Sequence, residues 1–174
     1  NLYEKMTLFI IAVLMAVAAI AASYRPYVPA YLPAYAALWL LKWSGAVNPG
    51  TWILTSWGMA TAVVLIADMA QPRMVSKATN GLAHMATGAL AGTMAGLCTA
   101  TYVWTAVGAA LGTAIGVAAY IRTPSGAALG FASPRFFRYI PAKFFPIVVT
   151  YCMLGIFALL IIMAYAPAYA LNQM

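Results

Sequence analysis

The sequence predicts an all-α, polytopic membrane protein, a helical bundle with about five transmembrane helices and an interfacial aromatic segment. Two observations carry that prediction. Of the 174 residues, 66% are hydrophobic and only 6% are charged, with a mean hydropathy of +0.92, where a soluble domain carries about a quarter charged residues. So few charges cannot cover a folded surface in water, so lipid must be most of the solvent. Secondly, the charges punctuate the chain at intervals that match the roughly 20 helical residues needed to cross a bilayer core about 30 Å thick.

Each element follows from those intervals. Residues 6–23, free of charge between Lys5 and Arg25, make the first span, and residues 51–70 make the second. Between Lys77 and Arg122 lie 44 residues without formal charge, a helix of about 66 Å at 1.5 Å per residue and therefore twice too long. The run must fold back. Tyr102 and Trp104 suit an interface, so the turn is expected within 99–105 and spans three and four at 81–98 and 104–121. The fifth span, 145–165, is expected to close at Pro167 and the polar tail Asn172–Gln173.

Residues 26–43 are read as interfacial. Pro26, Pro29 and Pro33 remove backbone donors. Tyr27, Tyr31, Tyr35, Trp39 and Trp43 recur every fourth residue, so the part beyond Pro33 is expected to be a short helix with an aromatic edge toward the headgroups, as a belt or as a docking surface for a partner. With this segment outside the bilayer, Lys5, Arg73, Lys77, Arg122, Arg135, Arg138 and Lys143 share one side, against Arg25 and Lys42, a positive-inside bias of seven to two. If the segment spans, the ratio stays seven to two with Lys5 and Arg25 exchanged.

Spans three and four hold the strongest pattern. Gly88, Gly92 and Gly96 in one, and Gly108, Gly112 and Gly116 in the other, fall at spacing four. Glycine at that period leaves a groove along one helix face, through which another backbone approaches to van der Waals contact and Cα–H to carbonyl bonding. The expectation is a tight antiparallel hairpin, with contact between subunits or a pore lining as the other uses of such a stripe.

Asp68, near the end of span two, and His84, just inside span three, are placed at similar depth as a buried polar pair, able to relay a proton or to serve as a structural contact. The loop 122–143 combines Arg122, Arg135, Arg138 and Lys143 with Phe136, Phe137 and Tyr139. That composition suits anionic lipid heads, with a phospholipid such as cardiolipin as the bound ligand, or a neighbouring subunit.

Composition narrows function. Two acids and one histidine argue against acyl, glycosyl or phosphoryl transfer, which needs converging acids, bases or metal ligands. Axial ligand pairs for haem, copper clusters and di-iron sites need more donors than these, so no catalytic residue, metal or redox cofactor is expected, and pigment binding would rest on His84 alone. Cys98 and Cys152 lie in separate apolar runs and form no metal-site spacing. The nine basic residues are scattered, which argues against nucleic acid. The chain begins with Asn1, read as a trimmed form or a mature form that has lost a leader.

Residues 51–121 carry a family likeness. A basic residue closing a span (Arg73), Asn80 opening the next, "GLAHMATGALAGTMAG", and then "VGAALGTAIG" together resemble the four-span proteins of the mitochondrial inner-membrane protein translocases and the related accessory subunit of respiratory complex I. The chain departs from that pattern in having no acid between Arg73 and Asn80, a single glycine, Gly58, in span two, and an additional fifth span. The resemblance implies a mitochondrial inner-membrane setting, other membrane subunits as partners, and a role in an assembly. The function expected is therefore that of a non-catalytic accessory subunit of an inner-membrane complex, a respiratory-chain complex first, in a mitochondrial or else a bacterial inner membrane. A small oligomeric channel, translocase component or holin-like pore is the alternative.

Overall fold

Small residues, and not large apolar ones, decide which helix faces meet. In the computed structural model, which describes residues 1–25, 28–70, 81–127 and 133–171, α1 (Leu2–Ser23) buries Ala12, Ala16, Ala19 and Ala22. Against that stripe lies α2 (Tyr31–Ser44), with Ala34, Ala37, Leu38 and Leu41 fully buried. Lipid is as apolar as leucine, so helices in a bilayer gain by close backbone approach, and alanine faces permit it.

The remaining elements are α3 (Thr51–Met69), α4 (Leu82–Leu97), α5 (Tyr102–Ile121), the short α6 (Pro134–Tyr139), a π-helical turn Ile140–Phe144, and α7 (Phe145–Leu171). Among the described residues every element is helical. Among the described residues four helices are long and apolar enough to cross a membrane: α1, α3, α5 and the stretch Phe136–Ala166, which includes most of α7. The third expected span, α4, has 16 residues and lies along α5, the two helices forming the expected hairpin with its turn at 98–101.

α7 is the central helix. It touches α1, α2, α3, α4 and α5, and Tyr151, Met153 and Leu159 are fully buried. Three contacts fix it: the Tyr151 hydroxyl shares a 2.9 Å hydrogen bond with Ser23 of α1, Thr61 of α3 donates to the Met153 sulfur at 3.5 Å, and Gly155 admits the Thr93 and Thr105 methyls of α4 and α5. The helix continues through Pro167 to Leu171, where the sequence suggested a stop; Pro167 forfeits the one backbone bond its missing N–H would make.

The reading of 26–43 as a peripheral interfacial segment is corrected. α2 crosses between the two ends of the bundle. Its start is tied to the end of α3 by the Tyr31 hydroxyl, which donates to Asp68 at 3.0 Å, while at its end a Cβ on Gly45 would lie 3.8 Å from Cε of Lys5. Pro33 falls in the first turn, where a missing N–H breaks no intrahelical bond. α1, α2 and α3 therefore alternate in direction. Lys5 and Lys42 share one face of the bundle, and Arg25, Asp68 and Lys143 line a cavity at the other. Lys5 and Arg25 are exchanged relative to the expected arrangement, as in the expectation's second form; Arg73 and Lys77, two of the seven residues in that count, lie outside the described residues.

The loop 122–143 is partly helical. Ser133 accepts from the Phe136 N–H at 3.2 Å and caps α6, with Pro134 at the first helical position. Pro141, lacking an N–H, interrupts the regular ladder, and the backbone widens to the π turn.

Candidate functional site

Two constructions stand out, the glycine seam and a charged cavity. Along the seam the six glycines face one another. A Cβ on Gly88 would strike the Gly112 carbonyl, one on Gly92 the Gly108 carbonyl, and the reciprocal additions at Gly108 and Gly112 would strike Gly92 and Gly88. Gly96 sits against the Trp104 carbonyl, 2.5 Å from where its Cβ would be, and Gly116 against the His84 carbonyl. Every member of the pattern read from the sequence thus belongs to one antiparallel interface within the chain. The turn that joins the two helices holds Ala100 at φ 53°, a left-handed conformation that glycine adopts more easily.

The second construction lies on the basic face. The ends of α1 and α3, the start of α2, the π turn and the start of α7 enclose a cavity of about 70 Å³, lined by Arg25, Tyr31, Asp68 and Lys143 and by the hydroxyls of Ser23 and Thr150. Asp68 is half-buried and accepts from Tyr31. Lys143 is only 7% exposed and lines the same cavity as Asp68, whose charge acts on it. A buried ammonium needs such a partner, because desolvation of an unpaired charge costs several kcal/mol. Arg25 is exposed at the cavity's mouth.

The expected Asp68–His84 pair is not what the structure builds. Asp68 accepts from Tyr31 and faces the cavity that Lys143 also lines, whereas His84 is exposed and its ring lies 5.6 Å from that of Tyr120. The reason is helical phase: Asp68 points inward to α2 and the π turn, and His84 sits on the outer side of α4. The four basic residues expected at a lipid or subunit surface also divide. Arg122 and Arg138 are exposed, Arg135 belongs to α6, and Lys143 points into the cavity.

Tyr31 and Arg25 were read from the sequence as an aromatic-row member and a flanking charge, not as site residues. Tyr31 is hidden within the aromatic row, at whose head it turns inward, 2% exposed, while Trp43 of the same row is 62% exposed. The available signal was the alanine register of α2, which puts Tyr31 on the same face as Ala34, Leu38 and Leu41. Among the described residues no group of three His, Cys, Asp or Glu side chains gathers to hold a metal. Comparison of the chain with known protein families, with curated proteins and with solved structures gives no match.

Proposed function

We propose that this chain is a non-catalytic structural subunit of a multi-subunit membrane assembly, where it packs against other membrane subunits and lipid. The observation that carries this reading is the fate of the glycine faces. A glycine-lined conduit needs those faces free to surround a path, and here all six are occupied by backbone-to-backbone contact inside one hairpin. The outward faces are apolar: Leu111, Ile115 and Met94 on the hairpin, and Trp52, Met59, Val63 and Ile66 on α3, are all more than half exposed. Such surfaces suit lipid and neighbouring helices.

A respiratory-chain complex of a mitochondrial or bacterial inner membrane is the setting we propose, on the likeness of residues 51–121 to the translocase and complex I accessory family. Extraction in mild detergent followed by native-gel mass spectrometry tests the role. Recovery in fixed stoichiometry with other membrane subunits is the expected result. Recovery as a homo-oligomer alone, with ion flux in liposomes, would replace this reading with the channel.

A further inference from the structure

The two faces of the bundle carry different cations. One face gathers the ends of α1 and α3, the start of α4, the end of α5, and α6 with the π turn. Arg25, Asp68, Leu82 and Lys143 line one cavity there, and a Cβ on Gly81 would lie 2.8 Å from the Tyr120 ring and 2.7 Å from the Tyr139 hydroxyl. The opposite face gathers the starts of α1, α3 and α5 and the end of α2. Lys5 approaches Gly45 there, and Trp52, Ile53, Tyr102 and Val103 line one groove. All four arginines among the described residues, Arg25, Arg122, Arg135 and Arg138, belong to the first face, together with Lys143. Among the described residues the second face has two cations, and both are lysines, Lys5 and Lys42. Its links hold no charge at all: residues 45–50 read Gly-Ala-Val-Asn-Pro-Gly, and the turn 98–101 reads Cys-Thr-Ala-Thr.

That division bears on insertion. A helical membrane protein forms when some links are carried across the hydrocarbon layer and others stay behind. Arginine keeps its charge throughout, whereas a desolvated lysine can give up its proton. The links that cross most easily therefore hold no charge, or lysine alone. Lysine and arginine in short links set orientation, and acids count little, so neither Asp68 nor the contacts of Lys143 alters a ratio of five against two. We infer that the arginine face stays in the compartment from which the chain is inserted, the cytoplasm for a bacterial membrane, and that Lys5, the link 45–50 and the α4–α5 turn are carried to the far side. Charge selects this orientation, because the glycine and alanine seams are the same whichever way the bundle lies. The inference does not depend on the subunit role.

The native cysteines make the far side readable. Cys98, in the carried turn, is exposed, and Cys152 is buried. The full chain is produced in a bacterial inner membrane and treated with a membrane-impermeant maleimide, once in cells whose outer membrane has been made permeable and once in inverted vesicles. Cys98 is expected to label in the cells and to be protected in the vesicles. Ser125→Cys in a Cys98→Ser chain, beyond the end of α5 on the arginine face, is expected to do the reverse. Failure of Cys98 to label in the cells, or equal labelling of the two positions there, overturns the inference.

A second variant tests the cause. Arg122→Gln, Arg138→Gln, Ala46→Arg and Asn48→Arg together change only exposed positions and turn the ratio to three against four. Labelling of Cys98 is expected to move from the cells to the vesicles, with tryptophan fluorescence after extraction confirming that the variant is folded. Unchanged labelling of Cys98 in the folded variant would make packing, and not charge, the selector, and would overturn the arginine argument. The parent chain alone decides the orientation if that variant fails to fold.

Discussion

Replacing Gly92 with alanine should destabilise the bundle even though it improves the helix. Alanine in place of an interior glycine gains about 1 kcal/mol of helix propensity. Against this, the added methyl would meet the Gly108 carbonyl and, at 3.0 Å, the Gly112 Cα. Both are backbone atoms, so no rotamer change relieves the contact and the two helices must separate. Overpacking of this kind costs about 1–3 kcal/mol. Separation at Gly92 also loosens the neighbouring contacts of Gly88 with Gly112 and of Gly96 with Trp104, which places the overpacking cost toward its upper limit. The net expectation is a loss of about 1–2 kcal/mol for Gly92→Ala, about a five- to thirty-fold change in the unfolding equilibrium, and a larger loss for Gly92→Leu. Denaturant titration in mild detergent, followed by tryptophan fluorescence, measures it. Gly50→Ala is the control, since a Cβ there meets nothing within 4 Å, and it should stay within about 0.5 kcal/mol of the parent. Should Gly92→Ala prove as stable as the parent, or more so, propensity alone would be acting and the seam would not be held by backbone contact.

Three further outcomes are expected. Leu38→Ala, at a fully buried position on α2, should cost about 2–5 kcal/mol, and Trp43→Ala, mostly exposed, far less; the reverse order in a detergent melt would restore α2 to the interface as a belt. In sealed vesicles an impermeant thiol reagent should reach the native, exposed Cys98 and a cysteine placed at Ala46 from the same side, and one placed at Ser125 from the other, with Cys152 buried and silent; labelling of positions 46 and 125 from one side would break the alternating topology. Ala100→Gly should stabilise the α4–α5 turn by up to about 1 kcal/mol by relieving the positive φ, and a loss of stability in the same melt would mean that this backbone conformation is not strained.

The fold was legible where the sequence signal was periodic and unpolluted by other causes. Glycine at every fourth position has few explanations, and both the hairpin and its partners came directly from it. The ends of the expected spans at residues 23, 70 and 121 differ from the observed helix ends by a residue or less, because charge and aromatic residues mark the same boundaries that the bilayer imposes. The alanine faces of α1 and α2 were less visible: alanine is abundant in any apolar span, so Ala12, Ala16 and Ala19 do not stand out as glycine does. α2 was misplaced for a related reason. Its prolines and aromatic row are properties of one side and one end of the helix, and they obscured the buried side made of Ala34, Ala37 and Leu41. The Asp68 site was half legible, since an ionisable residue at depth announces a partner but not which one, and Tyr31 and Lys143, which line the same cavity, come from 37 and 75 residues away in either direction.

How the bundle holds one register follows from the same division. In lipid, no hydrophobic gain separates one apolar packing from another, and the alanine seam of α1 and α2 would tolerate a slide by a helical turn, since it repeats every three or four residues, whereas the turn at 98–101 holds the glycine hairpin in register. Polar ties remove that freedom at a modest energy each, about 0.6 kcal/mol on average for such bonds in a membrane. Ser23 to Tyr151 pins α1 on α7, Tyr31 to Asp68 pins α2 on the end of α3, and the Tyr35 hydroxyl, one turn along α2, donates to the Leu54 carbonyl at 3.0 Å near the start of α3. A slide of α2 by one turn would move both tyrosines about 5.4 Å from their acceptors and strand the Asp68 carboxylate beside Lys143 without its hydroxyl. Glycine and alanine therefore supply the closeness of the helices, and three tyrosines supply the register of α1 on α7 and of α2 on α3. That assignment makes the tyrosines, despite their small individual energies, the residues whose joint replacement by phenylalanine would leave the helices formed but their alignment undetermined.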